Sequence, residues 1–228
     1  MAKPDEKYME EHIEKFLTSQ EVKPLTGSEG NVAAEPQVHY GSPQTEYRSL
    51  PNSMYNTKLA LVPEEIAAFV SSTQPKQWNL LVKRCGTEEK AMMTLAERVS
   101  KEIDQHGIIK VLREIEVSTM EGPKFTMMYP RPVNDKTPEH LILYSLNRLG
   151  VMRQIHYSLK DPSLSIDMGI FLNGLPIMTL ELKNELTGQS HHNAVKQYMM
   201  DRDVKGEKLL EFTRCLVHFA VGTEQVFM

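Results

Sequence analysis

Cysteine is scarce: the 228 residues contain only Cys85 and Cys215. Two thiols are too few for a cysteine-based zinc site or a disulfide framework, so both read as free thiols of a reducing compartment. Long apolar runs are missing too. No window approaches the length of a membrane span, and the opening "MAKPDEKYMEEHIEKF" lacks the apolar core of a signal peptide, so a cytoplasmic protein without a membrane partner is expected. Basic charge is not in excess: the formal net charge is −4 and the pI is near 6.1. That balance argues against a free-standing nucleic-acid binder, though not against a nuclease whose metal ion or partner supplies the positive charge. There is no G-x-x-x-x-G-K-[ST] phosphate loop, hence no ATPase site in this chain, and no internal repeat. What remains is average globular composition, with 40% hydrophobic and 25% charged residues, enough for one good core or one core with an appendage.

The N-terminal stretch "DEKYMEEHIEKFL" reads as an amphipathic helix with Tyr8, Met9, Ile13, Phe16 and Leu17 inward. Residues 18–57 are polar and rich in turn formers, a long loop or insertion with at most short strands. Residues 1–62 are therefore set apart from 63–228. Helices are expected after Val62, with Pro63 in the first turn, after Pro75, and from Glu88 to His106 with Gly107 as the stop. "GIIKVLREIEV" and "KFTMMYP" carry strand signals around a turn at Glu121-Gly122. "PEHLILYSLNRLG" reads as a helix stopped by Gly150, and "VMRQIHYS" as the next strand. A helix is expected from about His191 to Asp203, and a last apolar strand with a turn at Gly222-Thr223. Ending at Met228 within a strand pattern, the chain reads as a fragment of a larger polypeptide.

The most informative segment is "SLSIDMGIFLNGLPIMTLELKN". Ile166, Met168, Ile170 and Leu172 alternate with other residues, as do Met178, Leu180 and Leu182, which is the period of strands buried on one face. Asn173-Gly174 marks a hairpin. A two-residue loop would pair Leu172 with Leu175 and put the apolar rows on opposite faces. A three-residue loop, or an equivalent bulge, pairs even with even and gathers Asp167, Thr179, Glu181 and Lys183 on the other face, with Asp167 and Glu181 as diagonal neighbours. Two converging carboxylates suit a hard divalent cation such as Mg²⁺, and Lys183 lies near enough to act on an attacking water. The alternative is a surface salt bridge on a half-exposed sheet.

With "AVKQYMMDRD", "LVHFAVGTEQVFM" and, upstream, "SSTQPKQW", "GIIKVLREIEV" and "RQIHYS", this hairpin resembles the N-terminal nuclease domain of the restriction (R) subunit of type I restriction-modification enzymes, from about Pro63 onward. The resemblance implies an α/β, restriction-endonuclease-like PD-(D/E)XK core with a central mixed β-sheet flanked by helices, cleaving unmodified double-stranded DNA with Mg²⁺ (or Mn²⁺ as surrogate). It gives Asp167 and Glu181 as the metal-binding acids, Lys183 as the lysine of E-x-K, the Leu182 carbonyl as a further metal ligand and Glu10 as the acidic helix residue, with Glu11 and Glu14 competing for that place. Gln197 stands where related nucleases carry Gln-x-x-x-Tyr, but Asp201 occupies the tyrosine position and the tyrosine is displaced to Tyr198. Gln197, Tyr198, Arg202 and, from the strand before the hairpin, Gln154 are candidates for DNA contact or support of the site. An ATP-driven translocase would lie in the rest of the subunit, with modification and specificity subunits as partners. A silent docking module of the same subunit and a repair nuclease of the same superfamily are the other readings.

Overall fold

The computed structural model describes residues 6–18, 47–119, 122–133, 137–183, 206–222 and 225–228. Local sequence rules set most of the helix ends. Helix α1 (Glu6–Thr18) comes first, followed by strand β1 (Arg48–Leu50). Pro63 and Pro75 open α2 (Pro63–Thr73) and α3 (Pro75–Cys85), where their missing N–H is no loss. Gly86, at φ 87°, closes α3. The Thr87 hydroxyl then accepts the Lys90 N–H and caps α4 (Glu88–His106), which stops at Gly107.

Two expectations fail beyond this point. "GIIKVLREIEV" does not form a strand. Its first part is helix α5 (Ile108–Arg113), and only Val117–Ser118 (β2) pairs, with Lys124–Phe125 (β3), as a separate two-stranded sheet. The chain turns at Gly107 and folds back on α4, burying Ile108, Val111 and Leu112 at helical spacing while Ile109 stays exposed. Packing of that stripe outweighs the strand preference of its β-branched residues. Gly150 is likewise no helix stop. Helix α6 (Pro138–Ser145) ends earlier, where the Asn147 amide donates to the Tyr144 carbonyl, and Gly150 lies inside β4 (Leu149–His156). A Cβ at Gly150 would come within 2.3 Å of the Leu50 side chain, so this glycine admits β1 alongside β4.

The hairpin strands β5 (Ser165–Leu172) and β6 (Leu175–Leu182) are followed by β7 (Val217–Val221) and β8 (Val226–Phe227). They complete a six-stranded mixed sheet in the order β1-β4-β5-β6-β7-β8, parallel at β1/β4 and β6/β7 and antiparallel elsewhere. Met9, Ile13 and Leu17 of α1 pack on Val151, Met168, Ile170 and Leu182. A second cluster gathers Met152, Ile155, Ile166 and Phe171 with Leu50, Val62 and Leu209. The third is the helical core of α2 to α5, which Leu175 joins from the hairpin tip. The fold is α/β with a central mixed sheet flanked by helices. Among the described residues no helix is long and apolar enough to cross a membrane.

Buried Glu65 on α2 ties these layers together: it takes two hydrogen bonds from Arg148 (2.9 and 3.2 Å) and pairs with Arg48 of β1. Such a carboxylate clamped by guanidinium groups is a geometrically specific joint.

Candidate functional site

The hairpin reaches its register by a route the sequence reading rejected and an element it allowed. The loop has two residues. Asn173 (φ 52°) and Gly174 (φ 83°) both occupy the left-handed region, as the turn matched to strand twist requires, and Leu172 pairs with Leu175. One step on, Phe171 pairs with Pro176 and Ile170 with Met178, so Ile177 is the extra residue of a bulge. Pro176, unable to donate to a ladder, sits at that bulge, where proline is tolerated. Beyond it even residues pair with even, and Met168, Ile170, Met178, Leu180 and Leu182 share the cluster under α1. The last pair is Met168 with Leu180, and Asp167 and Glu181 come next on their strands. They are thus brought level with one another rather than diagonal.

At that end of the hairpin the charged side chains are not on a surface. Glu181 is 3% exposed and Lys183 4%, and the Lys183 ammonium lies 3.4 Å from Glu181 Oε1. The Lys183 N–H donates to the Val221 carbonyl at 2.8 Å, which holds the end of β6 against β7. Asp167 is half-buried, and its Oδ2 accepts the Leu182 N–H at 2.6 Å. Removing two charges from water costs several kcal/mol per ion, roughly, before their attraction repays it, so a buried pair of this kind is poor evidence of stabilisation. The reading as a surface salt bridge falls on this burial.

Glu10, on α1, is also buried, 4% exposed. Gln154 donates from Nε2 to Glu10 Oε1 at 2.8 Å and accepts from the Ser165 hydroxyl at 2.9 Å. Arg153, the next residue back on β4, pairs with Glu14 at 3.0 Å and Glu11 at 3.7 Å. A cavity of about 370 Å³ opens beside this cluster, lined by Lys7, Glu10, Glu14, Ser49, Arg153 and Gln154 among others. The sequence named Glu10 and Gln154 separately. Nothing in it linked them, because the bond joins residues 144 apart in the chain.

Gln197, Tyr198 and Arg202 lie outside the described residues, as does the helix expected from about His191 to Asp203. Among the described residues no group of three or more His, Cys, Asp or Glu side chains could hold a metal ion. Asp167 and Glu181, each one residue beyond the last ladder pair on adjacent strands, carry hard oxygen donors. Two of them suit Mg²⁺, which keeps several waters and takes one or two carboxylates from a protein.

The family model described as type I restriction enzyme R protein N terminus matches residues 76–228, a span that contains the whole hairpin with Asp167, Glu181 and Lys183. No curated protein and no solved structure matches the chain.

Proposed function

The chain belongs to the type I restriction enzyme R protein N-terminal family, and from that premise we propose that it is the endonuclease part of an R subunit, hydrolysing phosphodiester bonds of unmodified double-stranded DNA. The observation that carries this reading is the buried Glu181–Lys183 pair beside Asp167, at the end of a hairpin inside the matched region. Mg²⁺ would be held by Asp167 and Glu181 with the Leu182 carbonyl, and when bound it supplies Lewis-acid polarisation of the phosphate and a more acidic attacking water. The chain's own contribution is preorganisation. The Leu182 N–H fixes one Asp167 oxygen, so the carboxylate does not have to be ordered when DNA arrives. Lys183, held by Glu181 in a site poor in water, places a positive charge where negative charge develops on the phosphate oxygens. Neither group reads bases, so in this reading sequence recognition would fall to the specificity subunit, with methylation on the modification subunit. ATP-driven translocation belongs to a motor beyond this chain.

Metal binding tests the site without requiring translocation. Titrating Mn²⁺ calorimetrically into the chain is expected to give specific binding that Asp167→Ala and Glu181→Ala each abolish, with circular dichroism unchanged. No binding to the unaltered chain, or equal binding to both variants, would overturn the nuclease reading and favour a docking module of the same subunit.

A further inference from the structure

Gln154 is a polar, non-glycine residue in the interior of β4 with φ 52°. A side chain in the left-handed region costs energy, and within a strand no turn requires it. The ladder around it is otherwise regular. Arg153 pairs with Met168 and Ile155 with Ile166, in one continuous register, and the single pair missing between them is Gln154 with Asp167. The backbone at Gln154 is turned out of that ladder. Its carbonyl accepts from the Asn52 amide at 3.4 Å, and its own amide side chain bridges Glu10 and Ser165.

The consequence follows from the geometry of antiparallel pairs. In an unbroken ladder Gln154 and Asp167 would be directly opposed, with Cβ atoms about 4.5–5.5 Å apart on the same face. A carboxamide at that distance donates readily to a carboxylate, and Asp167 would turn toward β4. In the structure Asp167 reaches the other way, to the Leu182 N–H on β6, beside Glu181. We propose that Gln154 is a positioning residue: its left-handed backbone opens the β4–β5 ladder at one pair, removes its side chain from Asp167, and so commits the Asp167 carboxylate to the Glu181 side. The inference rests on the reading of Asp167 and Glu181 as metal ligands, and it assigns Gln154 to the protein's own framework rather than to DNA.

The test compares two substitutions with opposite backbone preferences in the 228-residue chain. Glycine adopts positive φ without strain, and a β-branched residue resists it. Gln154→Val is expected to weaken Mn²⁺ binding about tenfold, the usual lower bound for disturbing a group that orients a metal ligand. It should also speed hydrogen exchange of the Leu182 amide. Gln154→Gly is expected to keep that amide protected and to bind Mn²⁺ several-fold more tightly than the valine variant. If Gln154→Val does not fold, Gln154→Ala takes its place, since alanine also disfavours positive φ. Leu182 protection and Mn²⁺ affinity unchanged in the valine or alanine variant, or lost equally in the glycine variant, would overturn the proposal. Should the unaltered chain bind no Mn²⁺, the nuclease reading fails on its own, and Leu182 exchange still decides whether Gln154 positions Asp167.

Discussion

The two ends of the β5–β6 hairpin are built from similar residues and put to opposite uses. At the tip, Asn173 is 1% exposed, with φ 52°. Its side chain donates to the Met127 carbonyl (2.8 Å) and to Asn147 (2.9 Å), and accepts the Arg148 N–H (2.7 Å). Those bonds tie the hairpin tip to the loop after β3 and to the loop leading into β4, and Gly174 completes the joint through a bond to its carbonyl from the N–H of Val62, the residue before α2. Beside the open end, Gln154 of β4 has the same φ of 52° but no turn to justify it, and the charged groups Glu181 and Lys183 there are buried. Strain and polarity at the tip are consumed by the scaffold. At the open end, on the function proposed above, they serve a site rather than a joint.

The largest effect that would break this comparison belongs to the tip. Asn173→Ala removes three hydrogen bonds and places alanine at positive φ, for an expected loss of about 3–4 kcal/mol in urea denaturation. Gly174→Ala comes next. Its Cβ would sit 2.5 Å from the Val62 carbonyl oxygen and 2.8 Å from Ile66, and the expected loss is about 2–3 kcal/mol. In both variants the Mn²⁺ affinity of the folded protein should equal that of the unaltered chain. A tip substitution that weakens metal binding at unchanged stability would show that the two ends are not separable.

Much of the scaffold is legible in the sequence because its signals are local. Pro63, Pro75, Gly86, Thr87 and Gly107 set helix ends through rules that involve a few neighbouring residues. The alternation of apolar residues in the hairpin, and the charges that interrupt it, single out Asp167, Glu181 and Lys183 for the same reason. What escaped reading depends on partners distant in the chain. Helix α5 is a helix because α4 offers it a surface, and Gly150 serves β1, a strand inside the long polar segment. The loop of the hairpin is short because Asn173 and Gly174 are held by Met127, Asn147, Arg148 and Val62 from distant loops, with the bulge at Pro176 and Ile177 restoring the parity that the short loop would lose. The burial of Glu181 and Lys183 and the backbone of Gln154 leave no mark on the local pattern. Gln154 takes its conformation among Asn52, Glu10 and Ser165, contributed by three other segments.

The smallest net effect is expected where the charges are most buried, and it sharpens the comparison most. If the Glu181–Lys183 pair were part of the scaffold, removing it should cost stability as removing Asn173 does. If it is retained for a site, the double replacement Glu181→Gln with Lys183→Met should fold within about 1 kcal/mol of the unaltered chain, because neutral side chains of similar size avoid the desolvation that the ion pair has to overcome. Lys183→Met alone takes away the partner 3.4 Å from a buried carboxylate and should cost about 2–3 kcal/mol, most of which the second substitution returns. Thermal and urea denaturation of the cycle measure both terms, and Mn²⁺ titration of the double variant should show no specific binding. A double variant as unstable as the single one would mean that the pair supports the sheet, and the open end of the hairpin would then be a second joint rather than a site.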